Sequence, residues 1–478
     1  MEKLSDFPSD LLAKLSDVSF AYPQKAPILL NADLSIRQGG HILILGANGS
    51  GKTSLLRLIR GDLIPLAGRI FWRDGENFSL SRIVARKITA IVAPFQDQKC
   101  ARSPLTVIDI LARGLPDEYS DYEISAEKAS KLLDSFSAAD LSRKKISDLS
   151  QGQLRLILLA RALARDAPLL LLDELADGLD ATVRSRALAA LEEYASRGTI
   201  IMTSHRLDSI PSFIREILEL ESGRLRGREF ARKREPTRIS QERPTPASDR
   251  ALAKIEKADV YINGAKILKD IDWTIRQGER WRISGANGSG KSTLCRLLAG
   301  DETVAFGGKI WRFDRSGKSL NDLSSIRKSV RLVSSKAKID YGYPLSGLDF
   351  VLSGFDNVIG TYREFSSEEI SEARAMLRLF ALERYSDSSI RELSTGQLAR
   401  LFLARALVGS PDLLILDEAS SGLDAESREL YLAALNKIVA GDSGKPSLSL
   451  VVISHYDSDI PSSVNRFAEM KNGQLRFL

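Results

Sequence analysis

Cysteine is nearly missing from this chain: its 478 residues hold only Cys100 and Cys295. Two thiols cannot make a disulfide framework, and they are too few to ligate an iron–sulfur cluster. Long hydrophobic runs are missing as well. No stretch approaches the roughly 18 to 20 uninterrupted apolar residues that a spanning helix needs. The opening MEKLSDFPSD has neither the apolar core nor the cleavage site of a signal peptide. These absences point to a soluble, cytosolic protein. Histidine occurs only three times, which gives weight to any histidine that recurs at a matched position.

What is present is globular: 43% hydrophobic residues with 27% charged. The length exceeds what one core usually fills, so two domains are expected. The net charge of +6 is concentrated between Arg224 and Arg250, where nine basic residues face four carboxylates. A Pro- and Ser-bearing basic stretch reads either as a solvated linker or as a contact with nucleic-acid phosphates or anionic headgroups.

An internal repeat organises the chain. GANGSGKT from Gly46 returns as GANGSGKS from Gly285. LSQGQ from Leu149 returns as LSTGQ from Leu393. Asp173-Glu174 returns as Asp417-Glu418, and Ser204-His205 as Ser454-His455. The order is kept and the offset drifts slowly, which describes a duplication with small insertions. The expected organisation is a first domain over 11–225, a basic linker over 226–252 and a second domain over 253–478. HILILG, LLLLDE, TIIMTSH, LLILDE and LVVISH are short, nearly all-apolar runs, suited to parallel strands covered on both faces. Helical patterns such as LRLILLARALARD lie between them, so the alternation predicts an α/β fold with a parallel sheet in each copy. Ser222-Gly223 and Asn472-Gly473, flanked by strand-like residues, predict a hairpin at the end of each copy.

Each GxxxxGK[ST] follows an apolar strand and opens a helix, the context a phosphate loop requires. In the first copy the residues are Gly46, Asn48, Gly49, Ser50, Gly51, Lys52, Thr53 and Ser54. In the second they are Gly285, Asn287, Gly288, Ser289, Gly290, Lys291, Ser292 and Thr293. Glycines let backbone N–H groups curl around phosphate oxygens, and the helix N-terminus adds a positive dipole. Lys52 and Lys291 are expected on the β- and γ-phosphates, and Thr53 and Ser292 on Mg²⁺. Asp173 and Asp417 would hold Mg²⁺ through its water shell, and Glu174 and Glu418 would orient the attacking water. An isolated Asp-Glu pair reads more readily as a helix cap; two phosphate loops in the same chain overturn that in favour of the catalytic reading.

The LSQGQ and LSTGQ segments resemble the signature of ABC ATPases, and each precedes its acidic strand as that family's pattern requires. The resemblance covers almost the whole chain outside the linker. It implies two P-loop NTPase (ABC cassette) domains, each a RecA-like parallel sheet core with an antiparallel β part and a helical subdomain. It also implies ATP and Mg²⁺ as cofactors, and a nucleotide shared between one copy's phosphate loop and the other copy's signature. Ser150, Gly152 and Gln153, with Ser394, Gly396 and Gln397, would then cradle the γ-phosphate. His205 and His455 resemble the family's switch histidine. Asp180 and Asp424 resemble the loop that links two cassettes. His41 has no counterpart and reads as structural.

The copies also depart from the family pattern. Tyr22 stands where an aromatic stacks on adenine, but counting back from Leu268 puts Ile262 at that place in the second copy, with Tyr261 one residue out of register. Gln96 (or Gln98) fits the Gln loop of the first copy. The second offers Ser334 and Ser335 instead. Leu175 and Ala419 replace a common proline. Both copies keep lysine, aspartate, glutamate and histidine, so both sites are expected to be active.

Three kinds of ABC protein compete: the energising subunit of a transporter with a separate permease, a translation factor of the ABC-F kind, and a repair or regulatory ATPase. A short, Pro-containing, Arg-rich linker and Asp177-Gly178-Leu179-Asp180 differ from the long charged linker and Asn-His-Leu-Asp of ABC-F proteins. No zinc module or long coiled-coil insertion marks a repair ATPase. LVSSKAKIDYGYP, VLSGFDNVIGTY, GERWRISGANGSGKST and APFQDQ look like the tandem ATPases named for molybdate transport, the ModF or photorepair group. That resemblance implies an ATPase placed peripherally on the inner face of the membrane, with no direct solute binding and a molybdate-type anion as cargo. The helical regions over 97–148 and 337–392 would receive the permease. A soluble non-transport ATPase acting on ribosome or nucleic acid, or a regulatory ATPase, stays open as the alternative.

Overall fold

The computed structural model describes residues 7–100, 103–113, 123–176, 179, 181–206, 210–227, 248–334, 344–358, 360–441 and 448–478, with only the backbone of 98, 99, 181 and 440. The chain divides into two units, Met1–Lys233 and Arg234–Leu478. The central part of the basic segment, 228–247, lies outside the described residues, as does Asp180.

In the first unit a six-stranded sheet runs in the order Arg224–Gly227, Glu216–Glu221, Ile42–Leu45, Thr199–Ser204, Leu169–Asp173, Thr89–Val92. Every pairing in it is parallel except the closing hairpin of Glu216–Glu221 with Arg224–Gly227. The apolar run at Leu169–Leu172 shows why these strands carry no polar face. Leu170 and Leu172 enter a core shared with the helices Val107–Arg113, Ala126–Ser135 and Gln151–Ala164. Leu169 and Leu171 enter a second core with the helix Lys52–Ile59 and the antiparallel strands. Each such leucine, fully buried, contributes about 1.5 to 3 kcal/mol, so both faces of the strand are anchored and its C-terminal end is held firmly.

The antiparallel part is a four-stranded sheet ordered Leu29–Arg37, Leu11–Phe20, Ala67–Asp74, Asn77–Ser79. The second unit repeats the plan. Its main sheet runs Val330–Ser334, Leu413–Asp417, Ser449–Ile453, Arg280–Ser284, Arg466–Lys471, Gln474–Phe477. Beside it lie the antiparallel strands Ala265–Arg276, Ala251–Ile262 and Lys309–Arg312 and the helices Gly347–Leu352, Ser367–Leu379 and Thr395–Leu407. Both terminal hairpins turn through two left-handed residues, Ser222 and Gly223 at φ 48° and 78°, Asn472 and Gly473 at 51° and 84°. That is the two-residue turn whose twist matches antiparallel strands.

Candidate functional site

Each phosphate loop leaves the C-terminal end of a central strand, Ile42–Leu45 or Arg280–Ser284, and enters a helix at its lysine. The residue before that lysine, Gly51 at φ 105° and Gly290 at φ 108°, needs a backbone that side-chain-bearing residues rarely adopt. Lys52 is 4% exposed and donates to the carbonyls of Gly46 (2.8 Å) and Ala47 (3.0 Å). Lys291 does the same to Gly285 (2.7 Å) and Ala286 (2.8 Å). The ammonium thus ties its loop into a ring. The Oγ atoms of Ser50 and Ser289 are buried there without a hydrogen-bond partner among the described residues. Buried hydroxyls left open in a curl of amides fit an incoming phosphate.

The acidic pairs sit at the ends of Leu169–Asp173 and Leu413–Asp417. Thr53 Oγ1 donates to Asp173 Oδ2 at 2.6 Å, and Thr203 Oγ1 donates to Asp173 Oδ1 at 2.6 Å. Ser292 hydrogen-bonds Asp417, whose Oδ1 is buried with no partner among the described residues. Burial raises the pKa of both aspartates; hydrogen bonds from Thr203 and Thr53 oppose it at Asp173, and one from Ser292 at Asp417. A carboxylate beside a Ser or Thr hydroxyl is a donor set suited to hydrated Mg²⁺.

Glu174 and Glu418 both take left-handed backbones, φ 49° and 52°. The Glu174 N–H donates to Thr203 Oγ1 (3.1 Å), and its carbonyl accepts from Arg155 Nη1 (2.7 Å), reaching in from the helix Gln151–Ala164. Its carboxylate lies 3.3 Å from Lys52 Nζ and 3.6 Å from His205 Nδ1. Burial pushes this carboxyl up, but the adjacent His205 imidazole and the charge of Lys52 outweigh it and hold the pKa at about 2. In the second unit His455 Nε2 lies 3.1 Å from Glu418 Oε1. His41 accepts from the Ile200 N–H at 3.2 Å and packs edge-on to Phe213, a structural position.

The signature serines are helix caps. Ser150 caps Gln151–Ala164 and Ser394 caps Thr395–Leu407, each in a capping box with Gln153 or Gln397. A hydroxyl that accepts a backbone N–H keeps its own proton to donate, so capping leaves it able to meet a phosphate. Gly152 and Gly396 are buried. A Cβ on Gly396 would stand 2.2 Å from Ser427 Oγ. Asp424 caps the helix Ala425–Ala440, accepting from Ser427 N at 2.9 Å.

Tyr22 places its hydroxyl 3.2 Å from Ser54 Oγ on the phosphate-loop helix and its ring edge-on to Phe20. In the second unit Val260 pairs with Leu268 where Phe20 pairs with Leu29, so Ile262 stands in the place of Tyr22. Tyr261 points the other way, 52% exposed, with Lys266 Nζ 6.0 Å from its ring centroid. Gln96 is buried, and its Oε1 accepts the Ala93 N–H at 2.9 Å, so its amide is turned onto its own loop. The Gln98 side chain and Ser335 lie outside the described residues. Ser334 pairs in register with Asp417. Two site neighbours went unmarked in the motifs: Arg155, whose only signal was a charge in an apolar helix, and Thr203, a hydroxyl in an apolar strand.

The model of the ABC transporter family matches residues 29–177 and again 268–421. The chain is 27% identical over 462 residues to the ABC transporter ATP-binding protein ModF of Escherichia coli, covering 91% of this chain and 92% of that protein. It is 26% identical to an uncharacterized ABC transporter ATP-binding protein of Schizosaccharomyces pombe, covering 94% and 96%. Among solved structures, the archaeal ribosome recycling factor aABCE1 superposes with a TM-score of 0.66 at 21% identity, over 97% of this chain and 89% of that one. The RNase-L inhibitor gives 0.65 at 20%, over 97% and 90%. At those identities the likeness to the two structures is one of fold.

Proposed function

This chain belongs to the ABC transporter family, with one ATP-binding cassette in each unit, and from that premise we propose that it hydrolyses ATP at two sites to drive a separate membrane permease. It binds ATP with Mg²⁺, as cassettes of this family do. Mg²⁺ supplies positive charge to the phosphates; the remaining work falls to the protein. Lys52 and Lys291 grip the phosphates from inside their loops. Thr53 with Asp173, and Ser292 with Asp417, form the cation side. Glu174 and Glu418 orient the attacking water, and His205 and His455 hold those carboxylates in place. Phosphoryl transfer is chiefly a matter of positioning and charge. As the γ-phosphate draws Lys52 towards itself, the carboxylate of Glu174 loses a cation and becomes a better proton acceptor.

The observation that carries the transporter reading is the end-to-end match to the Escherichia coli protein, which spans both cassettes. No helix of the described residues is long and apolar enough to cross a membrane, so the reading assigns the solute path to another polypeptide and places this chain on the cytoplasmic face. The finer reading, a molybdate-type oxyanion as cargo, rests on the name of the resembling group. The test uses the Glu174→Gln, Glu418→Gln chain, tagged and fractionated in its own host with ATP present. Recovery with membranes and a multi-span protein is the expected result. Recovery with ribosomes or nucleic acid, or with nothing, rejects the transporter reading in favour of a non-transport ATPase.

A further inference from the structure

Thr203 touches both members of the acidic pair of the first site, the carboxylate of Asp173 and the backbone of Glu174. It is 2% exposed and faces Asp173 across the ladder of Leu169–Asp173 with Thr199–Ser204. Its hydroxyl donates to Asp173 Oδ1 at 2.6 Å and accepts the Glu174 N–H at 3.1 Å. One hydroxyl can do both, having one proton and two lone pairs. In the second unit the same register position opposite Asp417 is Ile453, 1% exposed. There the Glu418 N–H goes to the Ile453 carbonyl at 3.0 Å, and Asp417 Oδ1 is buried without a hydrogen-bond partner among the described residues.

We propose that Thr203 is a positioning residue that only the first site possesses, presetting Asp173 and the Glu174 backbone so that this site binds its divalent cation more tightly than the second. The proposal rests on the ATP-site reading above. Both oxygens of Asp173 are held, by Thr53 and Thr203, so its rotamer is fixed before a cation arrives. Among the described residues Asp417 has a single hydroxyl beside it, that of Ser292, and its other oxygen must be ordered on binding. Immobilising one such side chain costs about two- to tenfold in affinity, a cost the first site has already met in folding. The same hydroxyl anchors the left-handed turn at Glu174, a conformation uncommon for a residue with a side chain. Isoleucine keeps the branched shape that a buried strand favours and gives up only the hydroxyl. The difference between the units is therefore one of chemistry at this point, with the ladder unchanged.

The test uses the full chain with one site silenced, Lys291→Ala to isolate the first site and Lys52→Ala to isolate the second. Mn²⁺ affinity at saturating ADP is read by electron paramagnetic resonance, and ADP affinity is read separately in chelator. Thr203→Val is expected to weaken Mn²⁺ about two- to tenfold while leaving metal-free ADP affinity unchanged, and Thr203→Ser to behave as the parent. Ile453→Thr in the second site is expected to tighten Mn²⁺, a gain that a misfolded chain cannot give. Equal behaviour of the Val and Ser variants, or equal loss of metal-free ADP binding, overturns the proposal alone. Failure of the Lys291→Ala parent to bind ADP at all overturns the ATP-site reading, and this proposal with it.

Discussion

At the scale of single residues, the resting first site is an ion cluster in which Lys52 is shared between two loop carbonyls and Glu174. Such sharing keeps a buried ammonium satisfied while no phosphate is bound. Against the burial that raises it, the His205 imidazole and this ammonium together depress the glutamate from 4.5 to about 2. A carboxyl lowered in the folded state contributes stability that is fully present above its unfolded pKa and is lost as pH falls through the folded one. The first unit should therefore lose stability between about pH 4.5 and pH 2, and Glu174→Gln should flatten that acid limb in urea titrations across pH. Equal acid limbs in the two proteins would show that the cluster is not formed. The same substitution, added to a Glu418→Gln chain, is expected to lower the remaining ATP turnover by about 10²- to 10⁴-fold with nucleotide binding kept; unchanged turnover would remove Glu174 from the chemistry. Lys52, Thr53, Asp173 and Glu174 were legible in the sequence because their spacing recurs in the second copy. The pairing of Lys52 with Glu174 and the inward turn of Gln96 were not. The first depends on a partner far along the chain, and the second is a rotamer choice onto Ala93, three residues back, that no motif spacing encodes.

At the scale of elements, the functional groups stand at the C-terminal ends of strands and the N-terminal ends of helices, where backbone groups are left open. The signature helix of the second unit shows how tightly such an end is packed. Ser394 caps it, and removing a cap of this kind costs about 1 kcal/mol. Gly396 meets Ser427, at the start of the helix Ala425–Ala440, so closely that a Cβ would lie 2.2 Å from its Oγ and 2.7 Å from its Cβ. Ser394→Ala should therefore lower the stability of the second unit by about 1 kcal/mol. Gly396→Ala should lower it more, and Ser427→Gly should recover part of that loss. Thermal melts of the four chains decide the matter, and a Gly396→Ala chain as stable as its parent would show the contact to be soft. The parallel strands, the terminal hairpins and the signature helices were readable from apolar runs and turn residues. The close approach of Gly396 to Ser427 was hidden, because nothing local to either segment encodes which helix lies across it.

At the scale of the whole molecule, the duplication has produced two sites with the same reactive groups and different surroundings. The departure at Tyr22 was already visible from a count of residues, since strand register carries a one-residue slip to the opposite face. The structure gives that slip its consequence: Tyr22 is half-buried beside the phosphate-loop helix, its hydroxyl on Ser54, while Tyr261 faces solvent. An aromatic on which a base stacks is worth about 1 to 3 kcal/mol on truncation, or about five- to 150-fold in affinity. Tyr22→Ala in the chain isolated by Lys291→Ala should weaken ATP and GTP alike by about that factor, because every base offers a π-face to the ring. Tyr261→Ala in the Lys52→Ala chain should leave both affinities where they were. Fluorescence titrations with each nucleotide separate the outcomes. Loss at Tyr261 equal to that at Tyr22 would mean that the second site recruits its aromatic by a strand shift on binding. No effect at Tyr22 would mean that the base is held elsewhere and that the two sites differ less than their registers imply.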